Sequence, residues 1–380
     1  MDLSEIRKDI DQIDAELLEL FIRRMDCAKA VAAYKSANHL PILSKERERE
    51  ILRRVTEESG EYELYAHRLF STLLELSRTY QRKYITTGSN VRDFIAKSLE
   101  NVPELFPATG LIACQGVEGA YSQMAADKMF PRGNIIYFKT FEAVFDAVES
   151  GLCTFGVLPI ENSSNGSVRA VYDLLQVKNV SIVRSERLCV QHELFVKPGV
   201  KLSEVKKIIS HEQALGQCSA FLKSLGDQVE TARCENTALA AKMVAESEDR
   251  GIAAISSSNC AELYGLEALD CGNIQNSDNN YTRFICISKT PVVYPGANRI
   301  TLVLSCEHRP GALYDVMSHI SALELNLIKL ESCPMVGHDF EFLFFFEIEA
   351  SVLDPKVVDM LESLEHSCRS MRYLGNYQEV

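Results

Sequence analysis

Residues 3–35, LSEIRKDIDQIDAELLELFIRRMDCAKAVAAYK, decide the architecture of the front of this chain. Leu3, Ile6, Ile10, Ile13, Leu17, Leu20, Arg24, Cys27, Val31 and Tyr34 follow at alternating steps of three and four, a heptad seam over about nine turns. A helix of ~35 residues spans ~50 Å, more than one short domain can cover. The seam therefore predicts pairing with a second copy of the same helix. Around it, residues 1–84 hold one of the 19 Gly (Gly60), one of the 11 Pro (Pro41), and 15 of the 40 Lys and Arg against 16 acids. With breakers so scarce the segment is nearly all helix. A second helix is expected from Lys45 to about Ser59, with Ser44 as N-cap and Glu46 in its first turn. A third is expected from about Tyr62 to Tyr84, burying Phe70, Leu73 and Leu74.

Farther along, the periodicity changes. Residues 85–109 gain Gly, Ser and Pro and read as a linker with one short helix. From Leu111, LIACQG, IIYFKT and TFGVLPI alternate with AYSQMAADKMF, FEAVFDAVESG and SVRAVYDLLQV, which predicts an α/β domain running to the strand YTRFICIS at 281–288. Beyond Pro291 and Pro295 the pattern is strand 299–306, helix 311–323, strand 325–333, strand 340–349, helix 354–366 and strand 369–374. That βαββαβ order predicts a ferredoxin-like unit.

The whole chain of 380 residues carries a net charge of −13 and 46% apolar residues, which argues against non-specific nucleic-acid or anionic-membrane binding. Its 12 Cys come no closer than Cys260 and Cys271, so metal and dithiol chemistry have no motif, and buried thiols in a reducing compartment are expected. The charged start, MDLSEIRKDIDQID, lacks the apolar core of a secretory signal, and the longest apolar run, about 342–346, is far short of a membrane span. The expected location is cytoplasmic, with no nucleic acid and no membrane as partner.

Within the helical segment the polar exceptions are informative. Arg24 occupies a seam position, Lys35 lies about three turns later, and Ser77 and Gln81 are i,i+4 neighbours on the face of Phe70 and Leu74. These make a cationic pocket suited to a small anion rich in oxygen. Arg7 is ~26 Å from Arg24 along one helix, so the two cannot grip one small ligand within one chain, and antiparallel pairing of two chains is a way to bring them together. A single polar seam residue can also serve only to set register, and Arg47 and Glu48 within KEREREILRR read equally well as a solvated face.

IRKDIDQIDAELLELFIRRM, KAVAAYK, KEREREIL and RLFSTLLELSRTYQ together resemble the all-helical chorismate mutases. The resemblance implies a domain-swapped dimer in which Arg24, Lys35, Arg47, Glu48, Ser77 and Gln81 of one chain and Arg7 of the other surround the substrate. It implies that the arginines serve the carboxylates, that Lys35 and Gln81 donate to the ether oxygen, that Glu48 accepts from the ring hydroxyl and that Ser77 assists a carboxylate. Ser44 departs from relatives that carry an acid there, which implies weaker hydroxyl recognition.

In the α/β segment, GVEGAYS (116–122) is a strand-to-helix turn that either exposes backbone N–H groups to an anion or is an ordinary tight turn. PIENSSNGS (159–167) and NNYTRF (279–284) concentrate Glu, Asn, Ser, Thr and Arg beside apolar strands. With SHEQALGQC (210–218) they resemble the prephenate dehydratases, over about residues 110–290. The resemblance implies a pair of α/β lobes like periplasmic binding proteins, with substrate in the cleft. It implies that Thr282 donates to the leaving oxygen, linked to Glu161, and that Arg283 binds or positions a carboxylate. Ser122, Asn162, Ser163, Ser210, Gln217 and Glu235 are implied to line the cleft. His211 is expected to cap a helix or lie at the surface.

The last segment resembles the ACT domains. Gly311, Ala312, Leu313 and Tyr314, with Glu331, Ser332, Cys333 and Pro334, stand where that resemblance places a phenylalanine effector, although Tyr314 and Cys333 replace the usual Val and Arg. The expected organisation is a mutase domain (1–84), a linker (85–109), a dehydratase domain (110–290) and an ACT regulatory domain (298–376). The expected enzyme converts chorismate to prephenate and prephenate to phenylpyruvate without cofactor or metal, as a homodimer or tetramer under phenylalanine feedback. Alternatives are a dehydratase whose helices only dimerise it, and a non-catalytic amino-acid sensor.

Overall fold

The computed structural model describes residues 2–85, 88–335 and 342–380. Contacts divide the chain into two compact units, Met1–Asp93 with Val358–Arg369, and Phe94–Val357 with Ser370–Val380.

The first unit is built on α1 (Leu3–Ala37), α2 (Lys45–Glu58) and α3 (Glu63–Ile85). α1 has the 35 residues that the seam predicts and opens on a capping box between Asp2 and Glu5. Its only buried residues are Ala28 and Ala32, while Leu3, Ile13, Leu17 and Leu20 are each more than half exposed. α1 and α3 run in the same sense: Arg24 meets Leu73 and Ser77, and farther on Lys29 lies 5.5 Å from the ring centre of Tyr84. α2 starts after Ser44, whose backbone is extended as an N-cap requires but whose side chain makes no capping bond. Residues 358–369 join this unit through Arg92, which meets Asp359 and Glu362 at 2.6 Å, and Ser89, which donates to Glu365 at 2.6 Å.

Residues 90–98, inside the expected linker, form α4 (Asn90–Ser98). The second unit then lays down β1 (Leu111–Gln115), α5 (Tyr121–Met129), β2 (Asn134–Phe138), α6 (Phe141–Glu149), β3 (Phe155–Asn162), β4 (Gly166–Ser167), α7 (Arg169–Val177) and β5 (Ser181–Cys189). β1 lies between β2 and β3, parallel to both, as strand–helix–strand alternation requires. The chain next crosses to β6 (Glu193–Val196), β7 (Lys207–His211), α8 (Glu212–Gln217), α9 (Ser219–Ser224), β8 (Glu230–Cys234), α10 (Thr237–Glu246), β9 (Ile252–Ser256), α11 (Ser258–Tyr264) and β10 (Glu267–Ala268), which form a separate sheet in the order β10-β6-β9-β7-β8. It returns on β11 (Tyr281–Ser288), antiparallel between β3 and β5. Two lobes result, joined where the chain crosses at 190–192 and 269–280.

The remaining elements are β12 (Arg299–Ser305), α12 (Ala312–Ala322), β13 (Asn326–Pro334), β14 (Phe342–Glu349), α13 (Pro355–Ser367) and β15 (Ser370–Glu379), with strand order β13-β14-β12-β15. Positions 340–341 of the expected strand lie outside the described residues. β15 runs past the predicted end at 374 and pairs with β5 through Gln378 and Glu379, so the strands merge with the first lobe into one ten-stranded sheet. Gly375 permits that approach, because a Cβ there would stand 2.1 Å from the Ile182 carbonyl oxygen. The joint core holds Cys333, Phe345, Leu374 and Tyr377 with Phe145, Tyr172 and Ile285. Among the described residues no helix is long and apolar enough to cross a membrane.

Candidate active sites

In the first unit, α1 and α3 bring Arg24 against Ser77, and Arg24 also donates to the Leu73 carbonyl at 2.9 Å. Burial pulls the guanidinium of Arg24 down from its ordinary value, and it pulls Lys35 down as well, with the charge of Glu48 opposing. Lys35 donates to the Ile42 carbonyl. Gln81 is 7% exposed, and its Oε1 is buried without a hydrogen-bond partner. Such an atom awaits a ligand or water. Glu48 accepts from Arg78 at 2.5 Å, so in this structure its carboxylate faces a cation that sequence reasoning passed over.

Two expected members stand elsewhere. Arg47 is turned to Glu50 at 2.7 Å on the exposed side of α2, because neighbouring positions on a helix diverge by about 100° and Glu48 takes the inward one. Arg7 sits on the exposed end of α1, apart from the cluster in its own chain.

In the second unit, the pairing of β3 with β11 sets Asn162 opposite Thr282 and Glu161 opposite Arg283. Strand side chains alternate between faces, so these pairs point to opposite sides. The expected Thr282–Glu161 link is therefore replaced by a Thr282–Asn162 link: the Nδ2 of Asn162 donates to Thr282 Oγ1 at 2.9 Å and to Asn280 Oδ1 at 2.8 Å. Asn280 Nδ2 donates to Gln217 Oε1 at 3.0 Å, and His192 Nε2 lies 2.9 Å from the same oxygen. Thr282 is partly exposed, while Asn280 and His192 are buried. Burial lowers the His192 pKa, with the hydrogen bond to Gln217 opposing. Ser163 supports the turn by accepting from the Tyr281 N–H at 2.9 Å and donating to the Asn279 carbonyl at 3.0 Å.

On the opposite face Arg283 is 5% exposed and closed in by Glu347, Glu379 at 3.3 Å and Glu161 at 3.4 Å. Desolvation would lower its pKa, but the Glu347 hydrogen bond and the surrounding negative groups raise it above the ordinary value. Both terminal nitrogens of the guanidinium are committed to these acids and only its Nε is left without a partner, so on this buried face the charge of Arg283 goes to holding strands together, and the expected carboxylate-binding role has no exposed edge to serve it. Glu161 also accepts from Lys329 on β13. Burial opposes its ionisation, yet Arg283 and Lys329 hold its pKa below the usual carboxylate value.

Other expected cleft residues differ in access. Ser210 is fully buried and donates to the Ile255 carbonyl at 2.6 Å, so its hydroxyl closes a strand contact and does not line a cleft. Ser122 is 5% exposed on the buried face of α5, and Glu235 is exposed just before α10. The glycine turn is a tight turn: the Gly116 N–H donates to the Phe138 carbonyl and the Gly119 N–H to Gln123 Oε1 at 2.7 Å, which leaves neither for an anion. His211 caps α8 by accepting from the Gln213 N–H.

In the last segment Gly311 takes a left-handed φ of 81° ahead of α12. Ala312 is buried, Leu313 follows it on the helix and Tyr314 is 52% exposed. Along β13, Glu331 accepts from Ser167 at 2.8 Å, Ser332 and Pro334 are exposed, and Cys333 is fully buried in the core. Strand alternation turns Cys333 inward, so its side chain is no effector contact.

Residues 6–82 match the type II chorismate mutase family and residues 112–292 match prephenate dehydratase. The bifunctional chorismate mutase/prephenate dehydratase of Escherichia coli K12 is 30% identical over 99% of this chain and 96% of its own. The chain belongs to the bifunctional chorismate mutase/prephenate dehydratase family. It carries both enzyme domains, the mutase match ahead of the dehydratase match. An Arabidopsis thaliana arogenate dehydratase/prephenate dehydratase 2 is 37% identical over 70% of this chain and 72% of its own. Among solved structures, the prephenate dehydratase of Arthrobacter aurescens in complex with L-Phe superposes with a TM-score of 0.64, at 26% identity over 70% of this chain and 89% of that one. Arg78, His192, Asn280 and Lys329 are the members of the two sites that sequence reasoning missed. For Asn280 a signal existed, since NNYTRF places a second amide two residues before Thr282. Arg78 stood inside RLFSTLLELSRTYQ, next to Ser77 on α3, but nothing local showed that it meets Glu48, whereas His192 and Lys329 reach their sites from distant elements.

Proposed function

We propose that residues 1–84 rearrange chorismate to prephenate and that residues 110–290 convert prephenate to phenylpyruvate. The observation that carries the reading is one chain holding two separate polar sites, each matched to its family, with a Thr282 hydroxyl that accepts from Asn162 and keeps its proton unassigned among the described residues.

The first reaction needs no nucleophile; it needs the dianion held compact and charge on the ether oxygen stabilised. Arg24 and Ser77 hold a carboxylate, Gln81 and Lys35 face the ether oxygen, and Glu48, paired with Arg78, receives the ring hydroxyl. Arg47 acts through position. The exposed apolar seam of α1 supports an antiparallel homodimer in which Arg7 of a second copy completes the pocket. In the second reaction the ring carboxylate leaves as CO2, its bonding electrons enter the ring, and the C4 hydroxyl departs with one added proton as water. Thr282 donates a hydrogen bond to that oxygen, while Asn162, Ser163, Gln217 and Glu235 set the wall of the cleft. Ser122 and Ser210 shape that wall from beneath, and Glu161 and Arg283 hold the strand that carries Thr282.

Residues 298–376 act as an ACT domain of ferredoxin-like order that takes L-phenylalanine around Gly311–Tyr314 and the exposed Ser332 and Pro334, with Glu331 held by Ser167, and residues 85–109 link the first two domains. The enzyme works in the cytoplasm. The test is phenylpyruvate formation by purified protein from chorismate and, separately, from prephenate, with phenylalanine titrated to millimolar levels. Product from both substrates with a phenylalanine-dependent rate is expected. Product from prephenate alone leaves the helices as a dimerisation module, and product from neither leaves an amino-acid sensor.

A further inference from the structure

The hydrogen bonds that end at Thr282 have a direction that can be read from the backbone. Asn162 Oδ1 accepts the main-chain N–H groups of Ser164 and Asn165, each at 3.0 Å. Main-chain N–H groups only donate, so the Asn162 amide is fixed with Nδ2 toward Thr282 Oγ1 at 2.9 Å and Asn280 Oδ1 at 2.8 Å, its two shortest contacts, with the Tyr281 carbonyl farther off at 3.2 Å. Asn280 must then present its oxygen to Asn162 and its Nδ2 to Gln217 Oε1. The second group on that oxygen, His192 Nε2, must carry a proton. His192 thereby carries a proton on Nε2, and its Nδ1 lies 3.5 Å from the Tyr121 hydroxyl, which itself donates to the Gln191 carbonyl at 2.6 Å.

We propose that His192 and Asn280 are positioning residues of the dehydratase site: together with Gln217 they hold Asn162 so that it fills the acceptor side of Thr282 and leaves the Thr282 proton directed at the substrate's leaving hydroxyl. The inference rests on the proposed dehydratase activity. Its geometry spans the joint between the lobes. His192 lies in one crossing and Asn280 at the end of the other, Gln217 comes from the second lobe, and Asn162 and Thr282 come from the first. The two crossings are tied to each other as well, since the His192 N–H donates to Gln275 Oε1 at 2.9 Å and Gln275 Nε2 donates to the Val190 carbonyl at 3.1 Å. An Nε2 acceptor at His192 would turn Gln217 and then Asn280, and would set two N–H donors face to face at Asn162. The buried setting favours the neutral ring.

Three full-length variants test this with prephenate as substrate. Gln matches the reach of a histidine Nε2–H donor and Phe matches the ring without it. His192→Phe is expected to lower kcat about 10-fold with KM changed less than about 2-fold, and His192→Gln to recover most of the loss. Asn280→Asp, which offers Gln217 an acceptor in place of a donor, is expected to lower kcat at least as far. Thermal unfolding shows which variants are folded, and the two sites provide independent substitutions should one not be. The proposal is overturned by a wild-type kcat in folded His192→Phe or Asn280→Asp, by equal loss in the Phe and Gln variants, or by a change confined to KM. A wild-type protein that makes no phenylpyruvate from prephenate removes the underlying reading first, before any variant is compared.

Discussion

The two units treat their polar residues in opposite ways. In the helical unit the pocket groups are half-finished: Gln81 Oε1 is buried without a partner, Arg7 stands apart on an exposed helix, and the apolar seam of α1 faces outward. In the lobed unit Asn162, Asn280, Gln217 and His192 satisfy one another within a single chain. On the proposed reading, in which a second copy completes the helical pocket, that pocket must leave its surfaces unmet in one copy, whereas a site at a joint between lobes can be preorganised by the fold that carries it.

The sharpest test of this contrast is a reciprocal pair. Thr282→Ala should lower phenylpyruvate formation from prephenate by about 10²–10⁴-fold and leave chorismate turnover intact, and Arg24→Ala should do the reverse by about 10²–10³-fold. Loss of both activities in either variant would mean the sites are not separable. Leu17→Lys, which puts a charge on the exposed seam, should shift the protein toward monomer in analytical ultracentrifugation and lower mutase turnover at least about 10-fold, with dehydratase turnover retained. A fully active monomeric mutase would break the comparison. Gly375→Ala should destabilise the lobed unit by about 1–3 kcal/mol, seen as a lower Tm, because the added Cβ meets the Ile182 carbonyl and not a movable side chain.

The smallest effect concerns pH. Burial depresses the His192 pKa in the folded chain, so the unfolded chain binds the proton more readily. Stability from keeping the ring neutral is fully present above the unfolded value near about 6.5 and is lost as pH falls through the folded value. His211 is shifted in the same direction by its own burial. Denaturant titrations between about pH 7 and 5 should therefore show a shallower loss of stability in His192→Gln than in the parent, with the His211 share remaining. An unchanged slope would place His192 in solvent-like surroundings.

Much of the fold was legible because periodicity is a local property. Steps of three and four between Leu3 and Tyr34 specify a long helix whatever it packs against, and the alternation from Leu111 onward specifies an α/β domain with mixed sheets, as the parallel β1, β2 and β3 beside the antiparallel β11 show. The extension of β15 to Glu379 was not legible, since it depends on β5 lying alongside and on the missing Cβ of Gly375. The same division runs through the sites. Arg24 and Ser77, and Asn162 and Thr282, were found as residue types in recognisable stretches, and the structure brings each pair together. Arg47 and Arg283 were found the same way and face acids of their own chain, because neither helix phase nor strand register can be read from residue type.

By itself the sequence determined the helix periods, the alternation of strands and helices and the chemical inventory of two sites, for these depend on neighbours within a few residues. Only the tertiary structure decided which side of β11 serves Thr282 and which buries Arg283. It alone also decided that Glu48 meets Arg78, that Cys333 faces the core, and that His192 reaches Thr282 through three amides. Those outcomes depend on register and on contacts between residues tens to hundreds of positions apart, which no local pattern records.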